Sequence, residues 1–125
     1  MKSSILETTF KLPFEAVYNA IKKNILSNGF LLLHEINTQE IVAKHDLKIR
    51  PLKQLLFFHP RYIETILNED ALAINEIPIK IVVYEKENGN ISVSFPNPKI
   101  NLGDYNCDEE MASELLEKTN TILDI

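Results

Sequence analysis

A chain of 125 residues, 45% hydrophobic and 25% charged, falls in the size range of one compact domain that buries a core without metals or crosslinks. Its net charge of -5 disfavours a phosphate backbone as partner, since non-specific affinity for nucleic acid comes mainly from Lys and Arg; no nucleic acid is expected. The lone cysteine, Cys107, excludes an internal disulfide, and the longest apolar runs, 30–33 and 55–58, fall far short of the roughly 20 residues of a bilayer helix, so no membrane is expected either.

The opening Met1-Lys2-Ser3-Ser4 leads into alternating residues with no sustained apolar stretch, which does not read as a signal peptide and points to a cytoplasmic protein. Leu6, Thr8, Phe10 and Leu12 alternate, predicting a first strand over 6–12 that Pro13 stops. Phe14, Val17, Tyr18, Ile21 and Ile25 recur at spacings of three and four, so 13–27 reads as an amphipathic helix with proline in its first turn and Asn28-Gly29 as its C-terminal stop. Residues 30–36 are strand-like and almost continuously apolar, the pattern of a strand covered on both faces. Asn37 and Glu40 have capping-box spacing and predict a short helix from 38 to about 45.

The chain is organised around residues 55–85. An apolar strand (Leu55, Leu56, Phe57, Phe58) breaks at His59-Pro60 into a helix carrying Tyr62, Ile63, Ile66 and Leu67, which is expected to end near Asn68 because Glu69 and Asp70 oppose the helix dipole. Ile77-Pro78 then feeds a strand over 77–85, and Asn88-Gly89 predicts a tight hairpin into a strand over 91–95. Pro96 and Pro98 end that strand, and 97–105 reads as loop. A terminal helix over 108–123 is predicted from Met111, Leu115, Thr119 and Ile122 on one face, with acids in its first turn. Six prolines and three glycines are too few and too scattered for a linker, so 1–125 is a single α+β domain: a two-layer, β-α-β-β-α-β-β-like antiparallel or mixed sheet covered by helices, with an extra C-terminal helix.

Both faces of the central strands are apolar: Ile79, Ile81 and Val83 oppose Val82 and Tyr84, and Leu56 and Phe58 oppose Leu55 and Phe57. Such a layer must be sandwiched. If the helices gather on one face, the other meets a second subunit, because large apolar patches are rare on monomers; a homodimer is expected.

No recognised catalytic or metal spacing joins the three histidines, the cysteine and the carboxylates, and no cofactor is expected. His59 enters a helix whose first turn has unpaired N–H groups. It either caps that turn while Arg61 points into water, or holds a small anionic ligand together with Arg61, Tyr62 and Tyr84. An enzyme using His59 as general acid or base with Arg61 as anion holder is the alternative to a non-enzymatic binding or interaction module. His34 shares its phase with Phe30, Leu32 and Ile36 and is expected to face the core; nothing in the spacing brings it to His45 and His59 as a metal site. Cys107 is expected to be a poor nucleophile because Asp108, Glu109 and Glu110 raise its pKa.

Several pieces in order resemble domain-of-unknown-function family 302, small bacterial and archaeal proteins, over about 14–95. They are the helix ending in Gly29-Phe30, then Glu35-Ile36, the strand entering His59-Pro60, the Leu67 region, Ile77-Pro78-Ile79-Lys80-Ile81, Tyr84-Glu85 and the Gly89 turn. The resemblance implies a compact α+β fold with an antiparallel sheet, a dimer and no established activity. Many relatives carry Cys-Asn before the first proline and Cys after the second, where this chain has Phe58, His59 and Ile79. Any thiol chemistry of those relatives is lost here, because phenylalanine and isoleucine neither ligate metals nor exchange thiols.

Overall fold

The computed structural model describes residues 4–125; the reading of the first residues as no signal peptide therefore rests largely outside the described part. Strands β1 (Ile5–Phe10), β2 (Leu31–Asn37), β3 (Leu52–Phe58), β4 (Ile79–Glu85) and β5 (Ile91–Pro96) form one antiparallel sheet in the order β1-β5-β4-β3-β2. The helices are α1 (Phe14–Ser27), α2 (Thr38–Ala43), α3 (Pro60–Glu69), α4 (Pro98–Leu102) and α5 (Glu109–Thr121), with a 3-10 turn at Ala71–Glu76. The α+β class, the antiparallel sheet and the C-terminal helix are those expected.

Local chemistry explains the element ends. Gly29 takes φ +83°, and the amides of Gly29 and Phe30 bond back to the carbonyls of Leu26 and Ile25, a left-handed stop that buries Phe30 beneath the helix. At the hairpin, Gly89 takes φ +86° and its amide bonds to the Lys86 carbonyl, while the Lys86 amide bonds to the Asn90 carbonyl. Asn88 stays at negative φ and accepts the Asn90 amide, so the turn is a three-residue loop with glycine as its left-handed member. α3 ends at Glu69 with Asp70 as its extended C-cap, one residue past the expected end at Asn68. The Glu69 carboxylate accepts from the Asp108 amide, and that of Asp70 accepts from the amides of Leu72 and Asn106, tying the end of α3 to the approach of α5. Residues 97–105 are not simply loop: Asn97 caps α4 with Pro98 in its first turn, the same device as His59-Pro60.

One face of the sheet carries the core. Leu55, Phe57, Ile79, Ile81, Val83, Ile91, Val93 and Phe95 are buried there beneath α1, α3 and α5 in a single cluster. Asn24 of α1 donates to the carbonyls of Ile122 and Asp124, closing the C-terminal end of α5 over the core.

The opposite face has no such cover. The register puts Leu31, Ile36, Leu52, Leu56, Phe58 and Val82 on it, half-buried or exposed, with Tyr84 beside Leu52. The β5–β1 half of the same face is more polar, carrying Ser92, Ser94, Glu7 and Thr9, with Ile5 and Pro96 at one end. The expectation of a β2 covered on both sides is therefore corrected: β2 is an edge strand, and Leu31 and Leu33 are 48% and 49% exposed. His34 does not face the core either, because a bulge between Leu32 and His34 shifts the phase of β2 and pairs His34 with Leu56 on the open face.

Candidate functional site

The β3–α3 junction is built by its caps. The Nδ1 of His59 accepts from the Arg61 amide at 3.1 Å, with Pro60 in the first helical turn, where a missing N–H costs nothing. An accepting Nδ1 leaves the ring proton on Nε2, and a Cβ placed on Gly29 would lie 3.2 Å from that atom. The rings of Phe30 and Tyr62 stand edge-to-face to the imidazole at 5.8 and 5.5 Å. Burial, then the charges of Lys118 and Arg61, hold the His59 pKa below its ordinary value, which keeps the ring neutral at pH 7.

Arg61 and Tyr62 converge on one carboxylate. Arg61 Nη1 lies 3.2 Å from Glu114 Oε1, and the Tyr62 hydroxyl donates to the same oxygen at 3.0 Å. Burial and that hydrogen bond push the Tyr62 pKa up to about 12. The recess beside them, about 220 Å³, is lined by Arg61, Tyr62, Thr65 and three carboxylates, those of Asp108, Glu110 and Glu114. Its one guanidinium already faces a carboxylate, so the recess is an acidic surface rather than an anion cradle. His59, Arg61 and Tyr62 are brought together, whereas Tyr84 is not. Tyr84 pairs with Leu52, about 20 Å along β3 from His59 at the usual strand rise, and lies on the open face.

A second recess lies at the same end of the sheet as His59, on the open side. It encloses about 410 Å³, within the range of small-ligand pockets. Its floor is one cross-strand row: Lys80 pairs with Leu56, and Pro96 follows Ser94 in β5 as Lys80 precedes Val82 in β4. One wall is 75–78, including the cis Ile77-Pro78 peptide, and the other is α4 with Pro98, Asn101 and Leu102. Seven of its eleven lining residues are apolar, which makes it a hydrophobic slot with a few polar groups at its mouth. Lys80 is exposed and has no ion pair among the described residues, and the Asn101 amide makes no side-chain hydrogen bond among them. Glu76, the one carboxylate on the lining, accepts from the Tyr105 hydroxyl at 2.8 Å.

In the sequence Ile77-Pro78 opens one strand, and Pro96 and Pro98 end another. The signal for a shared recess was the pair of proline-bearing segments at neighbouring strand ends, but only the sheet order brings them together.

The remaining reactive side chains lie apart. His34 is on the open face and His45 follows α2 in an exposed turn; among the described residues no group of three or more His, Cys, Asp and Glu is placed to hold a metal ion. Cys107 has a raised pKa, chiefly from burial and then from Glu69 and Asp70 rather than from the acids that follow it in sequence. No described helix is long and apolar enough to cross a membrane.

The profile of a domain of unknown function, DUF302, matches residues 6–125, more than the stretch whose motifs resemble that family. Among solved structures, the crystal structure of an uncharacterised conserved DUF302 protein from Bacillus stearothermophilus is similar to this chain. It superposes with a TM-score of 0.86 at 22% identity, covering 98% of this chain and 97% of that one, which establishes a shared fold. Comparison with curated proteins gives no match.

Proposed function

This chain belongs to the DUF302 family, and from that premise we propose that it is a non-catalytic module that pairs with a second copy through its open sheet face and binds a small ligand at the margin of that face. The observation that carries the reading is the asymmetry of the sheet: α1, α3 and α5 share one face, whereas the apolar β2–β3–β4 half of the other is approached only at its edge by the short α2, whose Thr38 hydroxyl accepts from Gln54 at 2.9 Å. The three strands β2, β3 and β4, at about 4.8 Å spacing and about 20 Å length, present a flat projection of about 300 Å². That is below the roughly 800 Å² per partner of a standard interface, so the contact is a small one. A second copy is the occupant this argument favours, because a two-fold contact sets the apolar half of one sheet against its own equivalent.

His59 supports the non-catalytic side of the reading. One ring nitrogen accepts a backbone amide and the other abuts Gly29, so neither is directed at a cavity where a substrate proton would sit. The slot at Lys80 suits a ligand better than the acid-lined recess at Arg61, since it is larger, apolar and carries a cation with no ion pair among the described residues.

Sedimentation equilibrium tests the pairing. Wild-type protein should have the mass of two chains, and Val82→Glu should have the mass of one while keeping its circular dichroism. A wild-type protein of one-chain mass at high concentration overturns the dimer.

A further inference from the structure

We propose that the slot between 75–78 and α4 takes a small molecule with a compact apolar body and a single carboxylate, the carboxylate held at the mouth by Lys80 and the Asn101 amide. This deepens the ligand-binding half of the proposed function and rests on that half; the slot shares Leu56 with the proposed pairing face.

The body of the ligand follows from the walls. Leu56, Ile77, Pro78, Pro96, Pro98 and Leu102 offer hydrocarbon and proline rings and little hydrogen-bonding capacity, so a polar body would lose its water without replacement. The volume of about 410 Å³ limits the ligand to something of the size of a short fatty acid or a single-ring aromatic acid.

The head group follows from the charges. Among the described residues that line the slot, Lys80 and Glu76 are the ionisable pair. Glu76 is bonded to Tyr105, and no carboxylate lies within ion-pair distance of the Lys80 ammonium. An ammonium lining an apolar recess that is also lined by an amide without a side-chain partner among the described residues presents donors to an incoming anion. A cationic head would leave those donors unanswered, and a neutral oxygen would accept from them without the added strength of a charge-assisted bond. One lysine is a point charge rather than a planar fork, which favours a single carboxylate over a phosphate ester needing several donors.

Backbone NMR of ¹⁵N-labelled protein, titrated separately with hexanoate, phenylacetate and their neutral counterparts hexanol and 2-phenylethanol, tests the assignment. The acids should shift the amides of 75–80 and 98–102, and should bind at least about tenfold more tightly than the alcohols, the scale of one hydrogen bond to a charged group. Lys80→Met keeps the strand and the apolar stem; it should cost the acids about tenfold in affinity and leave the alcohols unchanged, while Lys80→Arg should restore most of the loss. The unperturbed part of the spectrum of each variant reports that the fold is intact. Acids and alcohols binding equally at 75–80, or Lys80→Met leaving acid affinity unchanged, would overturn the head-group assignment while the ligand slot stands. No shift at 75–80 with any of the four compounds overturns the slot as a ligand site as well.

Discussion

Two adjacent residues of β4, Val82 and Val83, have nearly the same propensity and hydrophobicity, yet they live in different environments. Val83 is fully buried under the helices, and Val82 points out through the open face between Gln54 and Ser94. The same division separates Phe57 from Phe58 on β3, and it runs through the whole β2–β3–β4 half of the sheet. The inner face is covered by its own chain; the apolar residues of the outer face are not. Apolarity on both sides of a strand therefore does not say that the chain itself covers both.

The comparison is broken most severely by charge. Val83→Glu would bury an unpaired carboxylate and should remove more than about 4 kcal/mol, enough to leave little folded protein in a urea titration. Val82→Glu should leave the monomer fold standing and act only on association. Equal behaviour of the two variants would dissolve the distinction between the faces.

Truncation sharpens it. Phe57 is fully buried and makes an edge-to-face pair with Phe30 at 4.9 Å, so Phe57→Ala should cost about 3–5 kcal/mol. Phe58→Ala, half-buried on the open face, should cost about 1 kcal/mol in a dilute monomer and show a larger loss at concentrations where the protein is paired. Urea midpoints measured at two protein concentrations separate these contributions.

The β3–α3 junction gives a smaller effect. His59→Ala removes an N-cap and two ring contacts and should cost about 1 kcal/mol, whereas His59→Asn keeps a capping acceptor and should cost less. A large loss in His59→Asn would point to a role beyond capping.

Acid should weaken the inner face through two groups with the same sign. His59 titrates below its ordinary value of 6.5, chiefly through burial, so below that pH the unfolded chain takes up a proton that the folded chain refuses, and stability falls. Glu35 is held below its ordinary value of 4.5, chiefly by the Tyr18 hydroxyl; its contribution is present above that pH and is lost as pH drops through the folded value. Urea midpoints should therefore decline from neutral pH downward in two steps, the first absent in His59→Asn. A rise in stability on acidification contradicts both assignments.

Much of the fold is readable in the residues because its signals are local. The α1 stripe, the stop at Gly29, the hairpin at Gly89 and the acidic start of α5 each depend on neighbours a few positions away. What was not readable depends on contacts distant in sequence. The β2 bulge, which turns His34 outward, has no signature in a run of leucines, because every phase of that run is apolar. Asn97-Pro98 carried the same cap-and-proline signature as His59-Pro60, yet α4 was hidden by a second proline at 96 and by its five-residue length. Grouping Tyr84 with His59 failed for a related reason: hydrophobic pattern places residues on strands but does not say which strand ends meet. The slot at Lys80 needed the sheet order itself.

The most direct measurement follows solvent access to the two faces in solution. Methyl-labelled protein is exposed to a soluble paramagnetic probe, and the broadening of Val82, Leu56 and Leu31 is compared with that of Val83 and Leu55 across a dilution series. The account predicts that Val83 and Leu55 stay protected throughout, while the other three are protected at high concentration and broaden on dilution. Strong broadening of Val82, Leu56 and Leu31 at every concentration would contradict it.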